Sequence, residues 1–147
     1  VAPENEKYII LATHNNKVDS INRSKLEALE TRSYFFEAKI TGEFSEYAYP
    51  VEKNLELKKG AQVMFIKNDP TGNQRFFNGK LATIKEISSG KVKVHFEEVE
   101  DEIELEIYKW KNIKFELNKA TDEIEEMEIG SFEQFPIKLA WAITVHK

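Results

Sequence analysis

Three side chains at the end of the 147-residue sequence have the chemistry to bind an anion. Thr144, His146 and Lys147 are the polar residues in and just after an apolar run from Leu139 to Val145. A threonine hydroxyl can donate a hydrogen bond to a phosphate oxygen, while lysine and imidazole side chains add positive charge or further donors. These residue types are therefore able to contact a phosphate group, and none of them is expected to be catalytic.

The apolar run that carries these residues predicts a β-strand. It follows Pro136, is rich in β-branched and aromatic residues, and is interrupted only by Thr144. Because almost every position is apolar, we expect the strand to be covered on both faces, as in a parallel α/β sheet. Periodicity alone favours a simple core strand here, without any role in binding.

A second strand with polar residues behind it lies near the beginning of the chain. Residues 7–13 form a short apolar run, and His14, Asn15 and Asn16 follow. Helically spaced apolar residues come next, so we expect a helix that starts near Lys17 with Asn16 as its N-cap. If the two strands run parallel, their carboxyl ends share the edge of the sheet where ligands commonly bind. Capping alone would explain the two asparagines equally well.

The middle of the chain reads as a β-meander. A turn at Gly60 leads into an apolar strand at residues 63–66, which ends before Asn68. Asn68 could bind a phosphate or a base, or it could form a side-chain turn with its own backbone. Further strand-like segments are residues 34–40, 80–87, 91–96, 103–107 and 113–117. Short alternating strands with tight turns, such as Asn78-Gly79, predict a barrel of about five strands within residues 60–117.

The composition excludes several classes of site. With no cysteine, disulfides and thiolate metal sites are excluded, and three scattered histidines do not predict a metal site. Residues 72–81 place six residues between their glycines and a leucine after the lysine, whereas a phosphate-cradling P-loop needs four residues and then Ser or Thr. No apolar run reaches about 18 residues, and the first residues do not read as a signal peptide, so a cytoplasmic location without a membrane partner is expected.

The net charge of −5 is unevenly distributed. Residues 97–128 contain 13 acidic and 4 basic residues, a net charge of −9, and the remainder carries a net charge of +4. We therefore expect the acidic segment to face away from any polyanion, while the rest of the molecule can approach one. A simple solvated face is the alternative explanation of the acidic segment.

Three stretches resemble the PIF-type and RecD-like DNA helicases of superfamily 1. Residues 136–147 read Pro-Ile-Lys-Leu-Ala-Trp-Ala-Ile-Thr-Val-His-Lys and are similar to the start of helicase motif V, without the Ser-Gln-Gly that follows in the family. Residues 11–22 read Leu-Ala-Thr-His-Asn-Asn-Lys-Val-Asp-Ser-Ile-Asn and resemble the opening of the second motor domain. Residues 60–64 read Gly-Ala-Gln-Val-Met and resemble a run that ends in an asparagine in the family, which Asn68 matches.

The resemblance implies a mainly β fold with minor α content. A small SH3-like β-barrel would be inserted between strand–helix remnants of a RecA-like α/β domain. Residues 1–55 would form the first part of that RecA-like domain, residues 56–130 the inserted barrel, and residues 131–147 the second part, cut within motif V.

The resemblance also implies a function in a larger parent protein. The parent would use ATP and Mg²⁺ to move 5′ to 3′ along single-stranded DNA in repair and recombination, in the cytoplasm at the bacterial nucleoid. This chain would bind no cofactor and hydrolyse no ATP, because phosphoryl transfer needs a P-loop lysine and magnesium ligands that would lie upstream. Its partners would be single-stranded DNA and the first motor domain. The expected DNA contacts are His14, Asn15, Asn68, Thr144, His146 and Lys147.

Two further expectations concern protein partners. Tyr108, Trp110 and the aromatic stretch at residues 47–50 could form a groove for an extended peptide, which would make the chain a free-standing SH3-like interaction module. The same aromatic residues would more simply belong to the barrel core. Residues 136–147 would expose apolar surface in the isolated chain and favour non-native self-association.

Overall fold

The computed structural model describes residues 9–96 and 101–145, and it is mainly β, as the sequence predicts. The elements are β1 (Ile10–Ala12), α1 (Asn15–Ala28), β2 (Ser33–Glu37), β3 (Lys39–Gly42), a 3-10 turn (Glu46–Ala48), β4 (Asn54–Lys58), β5 (Gln62–Phe65), β6 (Leu81–Ser88), β7 (Lys91–Phe96), β8 (Asp101–Glu104), β9 (Tyr108–Asn118), β10 (Glu123–Gln134), β11 (Ile137–Leu139) and β12 (Ala142–Thr144). Within these residues, no helix is long and apolar enough to cross a membrane.

The largest sheet has five antiparallel strands in the order β11-β5-β6-β7-β8. Strict alternation along β7 buries Val92, Val94 and Phe96 on one face, as period-two side-chain geometry predicts. The main core packs beneath this sheet and receives Leu26 of α1 and Leu57 of β4. The predicted strands at residues 63–66, 80–87 and 91–96 are thereby confirmed to within one residue at each end.

The segment at residues 113–117 does not join this sheet, contrary to the expectation that it belongs with the five barrel strands. It lies in β9, which pairs with β10 in a three-stranded sheet of order β3-β10-β9. The outer half of this hairpin leaves the core, and Leu117 and Ile124 pair across it while remaining 56% and 72% exposed. The alternating apolar residues of this segment therefore contact each other across the hairpin and are not packed in a core. The predicted strand at residues 103–107 likewise ends early, at Glu104.

The apolar run at residues 139–145 is divided between two sheets and is not one strand. Leu139 ends β11, which pairs with β5, whereas Ala142 begins β12, which pairs in parallel with β1. The chain changes partners at the two residues between them, where the Ala140 N–H donates to the Gln62 carbonyl and the Trp141 carbonyl accepts from β1. The apolar character of residues 139–145 indicates burial, but it does not indicate that the segment is shared between two sheets.

The parallel pair of β1 and β12 is covered on one face only among the described residues. Helix α1 packs there through Val18, against Ala12 and Ala142. On the opposite face Leu11 is 61% exposed and Val145 is 38% exposed. The expectation that both faces are covered is therefore wrong for this chain.

Helix α1 begins at Asn15, two residues earlier than predicted. His14 is the N-cap in an extended conformation, and its carbonyl accepts the first helical hydrogen bond, from the Val18 N–H at 3.2 Å. The prediction of Asn16 as the cap is wrong, because Asn16 already lies in the first turn. The predicted strand at residues 34–40 is also interrupted, since the Ala38 N–H donates to the Lys53 carbonyl between β2 and β3.

The aromatic residues that could have lined a peptide groove pack around Phe132 of β10. The ring centroids of Tyr49 and Trp110 lie 4.8 and 6.0 Å from that of Phe132, which is wholly buried. Tyr108 stands edge-on to Trp110 with a centroid distance of 4.8 Å. This mutual packing favours a core role for these residues and leaves Tyr47, at 95% exposure, without aromatic neighbours in the cluster.

Candidate nucleic-acid interface

The carboxyl ends of β1 and β12 lie side by side, as expected for parallel strands that carry one site. Ala12 is the register partner of Thr144, and the chain after β1 turns directly into α1. The Thr144 hydroxyl donates a hydrogen bond to Oδ1 of Asn15 at 2.6 Å, across 129 positions of sequence. The structure therefore brings together Asn15 and Thr144, with His14 adjacent as the N-cap of α1.

This hydrogen bond decides which atoms the pair presents to solvent. The single hydroxyl hydrogen of Thr144 is directed at Asn15, so it is not available to a phosphate at the same time. The Asn15 amide keeps two N–H groups on Nδ2, and the residue is exposed. The donor that the pair offers to an outside acceptor is thus the asparagine amide, held in position by the threonine.

The amino end of α1 adds positive potential beside the pair. The first N–H groups of a helix have no partner inside the helix, and the N-cap His14 makes no side-chain hydrogen bond to them. The helix dipole contributes about half a positive charge at the same end. Lys17 is exposed in the first turn. N–H groups, dipole and ammonium together favour an anion.

A groove between α1 and the β2–β4 sheet begins at this edge but has a different character. Arg23 of α1 and Glu56 of β4 form an ion pair at 2.7 Å inside it. The hydrogen bond from Arg23 lowers the pKa of Glu56, so the carboxylate stays charged near neutral pH. Asp19 and Glu52 also line the groove. With Arg23 and Lys138 also on its lining, the groove carries a net charge of only −1, and it lacks the excess of donors found at the edge near Asn15.

The other predicted residues have different outcomes. Asn68 lies in the loop between β5 and β6, where its Oδ1 accepts a hydrogen bond from the Asn78 N–H at 2.9 Å. Its side chain therefore organises a turn, although with a residue ten positions away rather than with its own neighbours. His146 and Lys147 lie outside the described residues. Elsewhere in residues 9–96 and 101–145, no group of three His, Cys, Asp or Glu side chains could hold a metal ion.

Two buried amide side chains near the site were not predicted from the sequence. Asn22 of α1 hydrogen-bonds the backbone of Ala142, and Gln62 of β5 hydrogen-bonds the carbonyl of Ala140. One local signal existed, because Asn22 occupies a position seven residues after Asn15, on the same face of the helix as the apolar residues. The partners, however, lie about 80 to 120 positions away in the sequence.

Comparison with known proteins identifies close relatives, while no family model matches the chain. It is 30% identical to the ATP-dependent DNA helicase Pif1 of Campylobacter jejuni over 97% of its own length and 34% of that protein. The structure of unliganded Pif1 from Bacteroides sp superimposes with a TM-score of 0.85 at 34% identity, over 95% of this chain and 31% of that one. Bacteroides Pif1 bound to single-stranded DNA gives a TM-score of 0.80 at 33% identity, over 98% and 32%.

These matches run through both ends and the centre of the chain, where the sequence resemblance was found. The TM-scores of 0.80 and 0.85 show that these structures share the overall fold described above. The chain spans about a third of the length of the relatives it matches. It is a section of a Pif1-type helicase.

Proposed function

We propose that this chain is the part of an ATP-dependent DNA helicase that holds the backbone of single-stranded DNA at the edge formed by β1, β12 and α1. The observation that carries the proposal is the Asn15–Thr144 hydrogen bond at the carboxyl ends of two parallel strands, beside the amino end of a helix. Support comes from relatives that are named DNA helicases and from a similar structure bound to single-stranded DNA.

At this edge we assign the amide of Asn15 and the amino end of α1 to a phosphate. Thr144 orients Asn15, and His14, His146 and Lys147 supply further hydrogen bonds or charge. Asn68, in the loop between β5 and β6, would be a further contact: its Oδ1 accepts from the Asn78 N–H, and its Nδ2 group would donate to a phosphate. Contacts of this kind are independent of sequence and strongly salt-dependent.

The sequence contains no P-loop, so in the proposed parent protein another domain would bind the nucleotide. Residues 1–55 and 131–147 would belong to the second RecA-like motor domain and residues 56–130 to an inserted SH3-like barrel, with β11 (Ile137–Leu139) pairing onto β5 of that barrel. The first motor domain would supply the P-loop, with ATP and Mg²⁺, and 5′-to-3′ movement would result from the two domains together. The chain itself would neither bind nor hydrolyse ATP, and the parent would work in the cytoplasm at the bacterial nucleoid.

Substitution of Thr144 in the full-length protein tests this function. Thr144→Ala should weaken binding to oligo-dT by about 1–2 kcal/mol, or roughly 5- to 30-fold, because the Asn15 amide loses its orientation. Unwinding should fall more than ATP binding, since the nucleotide site lies elsewhere. Fluorescence anisotropy at two salt concentrations measures the affinity. Thr121→Ala, on the exposed turn of the acidic hairpin, is a matched control that should bind normally.

A double-mutant cycle separates the two residues. If Asn15 is the donor and Thr144 its support, the double variant Asn15→Ala with Thr144→Ala should bind no more weakly than Asn15→Ala alone. Independent contacts would instead give additive losses. Affinity and unwinding that stay at the parental level in Thr144→Ala and His146→Ala would remove both residues from the site.

A further inference from the structure

Three amide side chains hold alternate residues of the segment 140–144. Gln62 of β5 donates through Nε2 to the carbonyl of Ala140 at 2.8 Å. Asn22 of α1 pairs with the backbone of Ala142, and Asn15 accepts the hydroxyl hydrogen of Thr144. The segment thus connects the five-stranded sheet to the proposed DNA-binding edge through contacts at every second residue.

Asn22 makes the most complete of these contacts. Its Oδ1 accepts from the Ala142 N–H at 2.8 Å, and its Nδ2 donates to the Ala142 carbonyl at 3.1 Å and to the Leu139 carbonyl at 3.4 Å. The residue is only 8% exposed. One side chain therefore satisfies both backbone groups of Ala142, as a neighbouring strand would do.

The location of these bonds on β12 explains why a side chain is needed there. The Trp141 carbonyl and the Val145 N–H bond to β1, so the N–H and carbonyl of Ala142 lie on the opposite edge. No strand among the described residues pairs with that edge, since β1 and β12 form a two-stranded sheet. Because β12 has three residues and one partner strand, its ladder alone constrains it weakly.

The spacing along α1 links this contact to the edge. Asn15 and Asn22 are seven residues apart and lie on one face of the helix, and their partners, Thr144 and Ala142, are two residues apart on one strand. Two points of attachment fix both the position and the direction of β12 against α1. A shift of β12 by one residue would turn the Thr144 side chain away from the helix.

We propose that Asn22 is a positioning residue for DNA binding: by pairing with Ala142 it sets the register of β12 on α1 and holds Thr144 where it orients the Asn15 amide. This inference rests on the proposed function. Asn22 touches no DNA in this scheme and acts only through Thr144. An amide suits the role because it combines a donor and an acceptor in one planar group, which neither a carboxylate nor an aliphatic side chain provides.

The experiment compares variants of the full-length protein in oligo-dT binding. Asn22→Leu keeps the size of the side chain and removes all three hydrogen bonds, so affinity should fall at least about fivefold, comparable with Thr144→Ala. In the Thr144→Ala background the same substitution should cause no further loss, although it should still lower Tm. The control is Asn112→Leu, which removes a side-chain hydrogen bond to the Glu43 carbonyl beside the β3-β10-β9 sheet. It should lower Tm and leave the affinity for oligo-dT unchanged.

Asn22→Asp gives a second readout that a purely structural role would not produce. Its carboxylate can accept from the Ala142 N–H but loses both donors, and protonation restores one donor. Burial beside two carbonyl oxygens raises the pKa of such a carboxyl. The affinity of Asn22→Asp, divided by that of the parent at the same pH, should therefore increase as pH falls from about 8 to about 5.5.

The outcomes separate this inference from the proposed function. If Thr144→Ala binds DNA normally, the proposed function fails. If Thr144→Ala is impaired but Asn22→Leu binds normally, or adds a further loss in the Thr144→Ala background, the positioning role alone is overturned. Should Asn22→Leu not fold, a pH-independent affinity ratio for Asn22→Asp overturns it, and a rising ratio supports it.

Discussion

At the carboxyl end of β12, one hydrogen bond assigns different roles to two polar residues. A threonine after an apolar strand suggests a direct phosphate donor, but its hydroxyl hydrogen is directed at Asn15. The donors that the pair still offers are those of the Asn15 amide, which in the function proposed above bind a phosphate. The stiff side chain of Thr144 orients the more flexible side chain of Asn15. Asn15 would therefore lose less conformational entropy when it binds a ligand.

Asp69 is a second residue whose hydrogen bonds organise a loop. Its carboxylate is buried between β5 and β6 and accepts from the side chain and backbone of both Thr71 and Arg75. The hydrogen bond from Arg75, together with those from Thr71, holds the pKa of Asp69 well below its ordinary value. Asn68 lies in the same loop. We therefore expect the position of Asn68 to depend on the negative charge of Asp69.

We predict that stability declines in acid because of Asp69. Its pKa is lower in the folded protein, so its contribution is complete above the unfolded pKa of about 4 and is lost progressively as pH falls toward the folded pKa. Asp69→Asn should lower Tm at neutral pH and flatten the decline of Tm below about pH 4. The exposed control Asp122→Asn should follow the parental curve. Thermal unfolding monitored by circular dichroism tests this, and a parallel curve for Asp69→Asn would contradict it.

At the scale of elements, β10 has two halves with different energetics. Its second half packs Phe132 into an aromatic cluster, whereas its first half pairs with β9 in solvent, where Phe115, Leu117 and Ile124 remain exposed. The carboxylates of Glu125 and Glu128 bond to β9 side chains across the hairpin. The outer hairpin is therefore held by its own cross-strand contacts and contributes little to the core.

Two substitutions in this one strand should show the difference. Phe132→Ala removes a wholly buried ring and should lower the free energy of unfolding by about 3–5 kcal/mol. Ile124→Ser removes a side chain that is 72% exposed and should change it by less than about 0.5 kcal/mol. Urea denaturation of the 147-residue chain gives both values. A large loss in Ile124→Ser would show that the hairpin packs against something in solution.

At the scale of the whole molecule, charge is unevenly distributed along the chain. Residues 97–128 carry a net charge of −9 and include the hairpin, while the rest of the chain carries +4 and includes the edge at Asn15. A polyanion is attracted to the basic part and repelled by the acidic part. The overall charge of −5 is thus compatible with a local DNA contact, and it should make binding by the isolated chain weak.

The open face of the parallel pair predicts self-association of the isolated chain. Leu11 is 61% exposed there, and Val145 is 38% exposed. Burying such side chains between two copies would stabilise a dimer by about 1.5–3 kcal/mol for each one fully covered. Leu11→Ser should shift sedimentation toward monomer, while Phe115→Ser on the hairpin, where the parent side chain is 63% exposed, should not. A parental chain that is monomeric at all concentrations would contradict this.

The sequence by itself determined the types of element and the location of most of them. Alternation along β7 and helical spacing after Asn15 are local properties, because side-chain direction repeats every two residues in a strand and every 3.6 in a helix. The resemblance to a helicase family was likewise carried by short continuous stretches. For these reasons the strands at residues 63–66, 80–87 and 91–96 and the helix after residue 14 could be predicted.

Only the tertiary structure decided which elements pair and which polar atoms are committed. The division of residues 139–145 between two sheets, the departure of the outer β9–β10 hairpin from the core and the bonds of Asn22 all depend on partners distant in sequence. Local periodicity reports that a side chain is buried or that a backbone group needs a partner, but not which residue will supply it. The commitment of the Thr144 hydroxyl to Asn15, which lies 129 positions away in the sequence, is therefore a property of the tertiary structure alone.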